Sequence, residues 1–388
     1  MNNFVLHNEY NIEDIKSYKD HFGDYLTVQD INDGFFQYLD SYPILKRDIM
    51  QSSMHKLLTD KNIKEDFIIV NAASSDYLVF KDKFLINNNP HLILDGSLLI
   101  AEILNIKRID IILKNYYLEE KDIIIKTVAE AEDLGFTNNI EINIYNENDY
   151  YNEYRIRMTP LFLENKKYIF DLETISQFAY LLHIGELGFK SYGAGKKYNG
   201  TYILSISGDI INPNLYEFEM YTPFKNIIKS AGGIEKEYSI KCVFTNGFLN
   251  PPIDFNAFQK MTLDYECFDS FNMKIGNGGV CFIKEDRCMV RVILKIIKFA
   301  DTLSCGKCTP CRCGFDLCGY YINKMLLGHS VLSDYSSLKD CAEMIKIGAS
   351  CLYIKSLADC ILSSMEMFKE EFIYLIENKT TLYSFVKD

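Results

Sequence analysis

Ser304-Cys-Gly-Lys-Cys-Thr-Pro-Cys-Arg-Cys-Gly-Phe-Asp-Leu-Cys318 places Cys305, Cys308 and Cys311 at CxxCxxC spacing. Thiolates this close on one loop can converge on a single metal centre. A [4Fe–4S] cube takes one thiolate at each iron, so the loop supplies three ligands and a fourth must come from a distant part of the chain. Cys351 is the candidate, because it follows a helix predicted over Leu338 to Ile347 and a terminating Gly348 that turns the chain back. Gly306 and Pro310 suit the tight turns that wrapping a cube requires. Zinc is the rival metal, although structural zinc usually takes two well-separated CxxC pairs.

All 12 cysteines fall between Cys242 and Cys360, which excludes a disulfide framework spread over the chain. Cys313, Cys318, Cys341 and Cys360 are expected to pack near the cluster or in a helical core. With 388 residues, 48% of them apolar, two or three domains with real cores are expected. The net charge is −12 and no Lys/Arg-rich run occurs, which argues against a nucleic-acid partner. The longest apolar run, His91 to Leu104, is broken by Asp95 and Glu102 and falls short of the roughly 18 residues of a membrane span. The first residues show no basic start followed by an apolar run, so a cytoplasmic chain that meets a membrane only through partners is expected.

The cysteine loop with its later lone cysteine resembles the cluster signature of the NADH-binding flavoprotein (F) subunit of respiratory complex I and of related diaphorase subunits. The resemblance extends to Ile69-Val-Asn-Ala72, Phe80-Lys-Asp82, Asp171-Leu-Glu-Thr-Ile175, Ser205-Ile-Ser-Gly-Asp-Ile-Ile-Asn-Pro213 and Tyr221-Thr-Pro-Phe-Lys-Asn-Ile-Ile-Lys-Ser-Ala-Gly-Gly233, covering roughly residues 65 to 375. It implies an FMN and NADH site, for which Asn71, Lys81 and Glu173 are the matching remnants. It also implies other iron–sulfur subunits as partners, in a complex peripheral to the inner membrane.

Three departures from the family pattern bear on that site. Where the family has a glycine-rich phosphate loop, Tyr42 to Leu58 contains no glycine, and a β-carbon obstructs close backbone approach to a phosphate. Ala73-Ser-Ser-Asp-Tyr77 stands in place of an acidic cofactor loop, and the stretch from Tyr150 lacks the family's Gly-Glu-Glu segment. The expectation is a degraded FMN and NADH site, with electrons delivered by a flavodoxin or ferredoxin that docks on Lys81, Lys83, Arg155 and Arg157.

In chain order, residues 1–62 read as an N-terminal helical segment, with Leu45, Ile49, Met54 and Leu57-Leu58 at helical spacing. Residues 63–185 alternate strand and helix and read as an α/β, Rossmann-like domain with a parallel sheet. Gly185 to Gly200 reads as a mobile connection, because Lys190 and Lys197 replace the residues a phosphate-binding P-loop needs. Residues 186–288 match a β-grasp domain, with Gly276, Gly278 and Gly279 marking a tight turn. Residues 289–388 form a helical iron–sulfur bundle, with Leu357, Ile361, Met365, Phe368, Phe372 and Leu375 on one face.

The leading expectation is an electron-transfer subunit of a complex I-like NADH-quinone oxidoreductase that passes electrons through a [4Fe–4S] cluster. Lys307 and Arg312 are placed to offset the charge of an anionic cluster. The alternatives are an FMN-dependent NADH dehydrogenase subunit with a diverged site, and a structural subunit stapled by a cluster or zinc.

Overall fold

A computed structural model describes residues 14–383 apart from 33, 49, 64, 74–77, 138, 155–167 and 193–195. Ile49, Arg155 and Arg157, and most of the Ala73–Tyr77 stretch, therefore lie outside the described residues.

Helices α1 (Ile15–Phe22), α2 (Phe35–Ser41) and α3 (Met54–Leu58) precede the first sheet and share its core through Tyr18, Phe35, Leu39, Met54 and Leu57. The helical spacing expected through Leu45 is not realised. Leu45 instead bridges Ser53 in a short antiparallel turn, because the residue two further on, Arg47, is drawn into the interior by partners far along the chain.

The first sheet holds β1 (Ile68–Ala72), β2 (Arg108–Leu113), β3 (Glu141–Asn146) and β4 (Ile169–Asp171) in the order β3-β2-β1-β4, every pair parallel. The strands are linked by α4 (Lys81–Asn88), α5 (Pro90–Ile103), α6 (Leu118–Asp133) and α7 (Glu147–Tyr154), as parallel pairing requires. β1 and β2 are almost wholly buried, as expected of a parallel sheet covered on both faces. Next comes α8 (Leu172–Lys190), two helical segments joined at Gly185, whose φ 73 and ψ 167 are not helical. The expected mobile connection is thus helical in its first part, anchored by the fully buried Phe189.

The second sheet holds β5 (Thr201–Gly208), β6 (Asn214–Glu219), β7 (Ile240–Thr245), β8 (Ile253–Asp254) and β9 (Gly279–Lys284). Its order is β6-β5-β9-β7-β8, with β9 parallel to β5 and antiparallel to β7. Helix α9 (Phe224–Ser230) and two short helices, α10 (Phe255–Phe258) and α11 (Tyr265–Ser270), cover it. The turn before β9 is tight as expected: Gly278 has φ 79, and a β-carbon there would meet the Ile203 carbonyl oxygen at 2.3 Å.

The chain ends in α12 (Met289–Thr302), α13 (Thr309–Leu326), α14 (Leu332–Gly348), α15 (Leu352–Met367) and α16 (Lys369–Asn378). Ile293, Ile297, Phe315, Ile322, Leu338, Leu357, Ile361 and Phe372 form one core, which also takes in Cys242, Phe244 and Cys281 from the second sheet. Burying each large aliphatic side chain contributes about 1.5–3 kcal/mol, so the bundle and the sheet behind it stabilise each other. Among the described residues no helix is long and apolar enough to cross a membrane.

Candidate functional site

The cysteine loop spans the gap between α12 and α13, and Cys308 is the N-cap of α13. Cys351 is the N-cap of α15. Each helix start leaves backbone N–H groups without intrahelical partners and carries a partial positive charge, which favours thiolates and an anionic cluster. The two helix starts are fastened together at Gly348, where a β-carbon would lie 2.7 Å from Pro310 Cγ.

The thiols respond to this setting. Burial alone would push the Cys308 thiol up, but N–H groups of Ser350 and Cys311 donate to it and leave it below the ordinary range. The bond from Ser350 places Cys308 against the residue beside Cys351. Burial raises Cys311, opposed by its contact with Ser304 Oγ at 3.1 Å and reinforced by the neighbouring Cys308 and Cys305 thiols. Cys305, Cys308 and Cys311 thus couple through charge, and Ser350, the chain neighbour of Cys351, donates to Cys308. Cys311 and Cys351 are buried, while Cys305 and Cys308 are partly exposed.

Among the described residues no group of three or more His, Cys, Asp or Glu is arranged for a single metal ion. A cube distributes its ligands over four irons, so convergence on one point is not what it requires. The donor set fits a cube: thiols alone, two helix starts, and the exposed Lys307 and Arg312 nearby, with Arg312 Nη1 3.4 Å from the Gly306 carbonyl oxygen. Cys313 is exposed on α13, whereas Cys318 is buried and pushed up to about 12 by desolvation; Cys360 is likewise buried and raised. Cys318 and Cys360 therefore sit in the core as expected.

A second constellation occupies the carboxyl end of the first sheet between β1 and β4. Strand order reverses there, which makes it the usual ligand crevice of a doubly wound sheet. Glu173, in the first turn of α8, accepts from Arg47 Nε at 3.1 Å, Lys81 Nζ at 2.5 Å and Ile203 N at 3.0 Å, and is fully buried. Lys81 also donates to the Asn277 carbonyl oxygen at 3.0 Å. Arg47 lies 4.0 Å from the Tyr202 ring centroid and donates further to Tyr265 Oη, Gln177 Oε1 and the Thr201 carbonyl. Burial opposes its charge, but Tyr265 and Glu173 outweigh that and keep the guanidinium protonated.

Lys81 and Glu173, two of the expected cofactor-site remnants, form a buried ion pair with each other; Lys81 cannot serve the exposed docking face expected of it. Asn71 is not part of the cluster: it is half-buried, and its Oδ1 accepts from Ala73 N at 3.1 Å. Lys83 is exposed, 2.9 Å from the buried Glu120. Arg47 was not singled out from the sequence; a lone arginine behind the apolar Tyr42-Pro-Ile-Leu45 was the available signal.

Asp171 caps α8, accepting from Thr174 N at 2.9 Å, and its other oxygen accepts from Arg47 N at 2.9 Å. A carboxylate of the chain itself therefore sits where a helix start and a loop amide would receive a phosphate.

Residues 291–374 match the NADH-ubiquinone oxidoreductase-F iron-sulfur binding region, and residues 51–154 match the Nuo51 FMN-binding domain. In both regions the chain is similar to NADH-quinone oxidoreductase F subunits. The second F-type NADH-quinone oxidoreductase protein of Rhizobium meliloti is 22% identical over 345 residues, spanning 81% of this chain and 82% of the relative. The corresponding F protein of Streptomyces coelicolor is 28% identical over 202 residues, and the HndC component of the NADP-reducing hydrogenase of Solidesulfovibrio fructosivorans 28% over 215. Those two alignments span 44% and 42% of the relatives, less than half their length. The fold is also that of NAD+-reducing [NiFe]-hydrogenase: in the H2-reduced state the TM-score is 0.75 at 18% identity, covering 91% of this chain and 64% of the other. In the air-oxidized state it is 0.76 at 17%, covering 100% and 70%. The chain thus carries regions that match an iron–sulfur binding region and an FMN-binding domain, on a mixed α/β fold with a helical C-terminal part.

Proposed function

We propose that the chain is an electron-transfer subunit of a complex I-like assembly, holding one [4Fe–4S] cluster on Cys305, Cys308, Cys311 and Cys351. The observation that carries this is the pair of helix starts, capped by Cys308 and Cys351 and fastened by Gly348 against Pro310. When bound, the cluster accepts and releases single electrons. The chain's own residues hold the thiols, bury two of them, and supply positive helix ends with Lys307 and Arg312 close by. No acid, base or nucleophile of the protein is needed.

The crevice between β1 and β4 does not fit FMN phosphate in its described part. Arg47, Lys81 and Glu173 fill it, and Asp171 already takes the Arg47 and Thr174 amides that a phosphate would use. The reading is therefore that electrons arrive from a protein donor, such as a flavodoxin or ferredoxin, and leave to a neighbouring iron–sulfur subunit. The division that goes with it is 1–62, an α/β unit 63–185, a β-grasp unit 186–288 supported by the β6-β5-β9-β7-β8 order, and an iron–sulfur bundle 289–388.

Anaerobic purification followed by metal and flavin analysis and electron paramagnetic resonance of the reduced protein tests this. About four irons per chain without flavin, and a signal abolished or altered in Cys351→Ser, are expected. Zinc at one per chain overturns the cluster. One retained FMN with NADH-dependent ferricyanide reduction overturns the donor and restores the alternative of an NADH dehydrogenase subunit, which the match of residues 51–154 favours.

A further inference from the structure

Ser304 stands between the end of α12 and Cys305, where its backbone N–H donates to the Asp301 carbonyl oxygen at 3.0 Å. Its side chain is half-buried, with Oγ 3.1 Å from Sγ of Cys311, one of the two buried thiols of the site. The Gly306 N–H donates to the same Oγ at 3.4 Å. A serine that only closes a turn accepts from the amide two residues on and leaves its own proton to water. Here a sulfur lies within reach of that proton.

The direction of the bond follows from the state of the sulfur. As a thiol, Cys311 donates to Ser304 Oγ. As a ligand to iron it is a thiolate with no proton to give, and the contact survives only with the hydroxyl as donor. The Gly306 amide takes one acceptor position on Oγ, so Ser304 turns its hydrogen to Cys311 while still receiving from the backbone. Donors chained in this way polarise one another, and a buried setting strengthens them relative to water. On the other side of the site Ser350 reaches Cys308 with both its N–H and its hydroxyl. Ser350 is exposed, so water can replace its hydroxyl there. The two hydroxyls thus come from different segments and meet different sulfurs.

Resting on the assignment of a [4Fe–4S] cluster to these cysteines, we propose that Ser304 acts through Cys311 as a positioning residue, donating a hydrogen bond to its thiolate and so raising the reduction potential of the centre. Ser350 is a weaker second donor, at Cys308. Reduction adds one negative charge that the sulfurs share, so a donor held at a sulfur stabilises the reduced form more than the oxidised one. One electron enters from the reduced protein donor and one leaves to the neighbouring iron–sulfur subunit. No bond is made or broken, and the hydroxyl proton stays on oxygen. The raised potential draws the electron from the donor onto this chain.

The test is a redox titration of the anaerobically purified full chain, followed by electron paramagnetic resonance, with iron content measured on every sample. Ser304→Ala should hold iron like the parent, while its reduced-to-oxidised ratio at a fixed solution potential falls about three- to tenfold, which lowers the one-electron midpoint by about 30–60 mV. Ser304→Thr, which keeps the hydroxyl, should stay near the parent. Ser304→Val, of the same shape as the threonine but without the hydroxyl, should follow Ser304→Ala. Ser350→Ala should shift the ratio by about twofold or less, since water takes the vacated place. A parent chain without about four irons and a reduced-state signal overturns the cluster assignment on which the proposal rests. With the parent loaded, four results overturn the proposal itself: an unmoved or raised midpoint in Ser304→Ala, iron lost from that variant as a purely structural turn would require, a Ser304→Thr chain that follows Ser304→Ala, or a larger shift in Ser350→Ala than in Ser304→Ala.

Discussion

Replacing Glu173 by Gln removes the negative charge that Arg47 and Lys81 share while keeping size and hydrogen-bonding atoms. Lys81 Nζ lies 2.5 Å and Arg47 Nε 3.1 Å from its two oxygens. At an effective dielectric of about 20, each such pair is worth about 5–7 kcal/mol of gross attraction. In the intact trio, desolvation of several kcal/mol per ion offsets most of that, so the assembled network is close to neutral for stability. The variant loses the attraction, keeps the desolvation, and leaves two cations in one interior. The expected cost is about 3–5 kcal/mol, a large share of the roughly 5–15 kcal/mol that folded proteins hold in all. Urea unfolding followed by circular dichroism measures it. Lys81→Met should cost less, because Glu173 retains Arg47 and the Ile203 amide. The double variant should be more stable than Glu173→Gln alone, since the orphaned ammonium is gone. A cost under about 1 kcal/mol for Glu173→Gln, or a double variant no better than the sum of the singles, refutes the view of Glu173 as the hub.

Cys313→Ser should leave the reduced-state resonance spectrum unchanged, since Cys313 is exposed on α13; a lost signal would make it a ligand. Gly348→Val should push Pro310 away and lower iron content to well below half that of the parent, as measured by iron assay; full iron content would show that the contact is dispensable. Burial holds the His91 imidazole, bonded to Tyr25 Oη at 2.7 Å and Glu130 at 3.0 Å, below its ordinary value of about 6.5, with Glu130 and Asp14 opposing and Lys126 reinforcing the shift. The unfolded chain then takes up the proton first, so this contribution to stability is complete above about pH 6.5 and is lost as pH falls below it. Amide exchange in α1 should therefore speed up between about pH 6.5 and 5, and His91→Gln should flatten that dependence; a flat parent profile would contradict it.

The cluster loop was legible because its information is local: three thiols within seven residues have few structural uses. The alternation of strand and helix from Ile68 to Asn146 was legible for the same reason, as the apolar pattern repeats within each element. Arg47 was not, because its partners Glu173, Gln177, Thr201 and Tyr265 lie 126 to 218 residues away. The same distance hid the burial of Lys81, whose surrounding residues Phe80-Lys-Asp-Lys83 look like a solvated helix start until Glu173 and the Asn277 carbonyl close over it. Gly185 read as a break and its φ 73, ψ 167 is one, but a second helical segment follows it, since Phe189 beyond the kink is anchored in the core against Gly200. Local sequence reports local geometry, and the departures arise where distant segments impose a position.

Asp171 is an anion carried on the same chain as the amides that receive it. A diffusing phosphate competes for such amides in proportion to its concentration, whereas a tethered carboxylate presents an effective concentration fixed by the fold. The start of α8 is therefore satisfied equally in phosphate-poor and phosphate-rich surroundings. Its geometry, and the seating of Arg47 that depends on it, becomes a constant of the folded state and is uncoupled from the supply of any small anionic ligand.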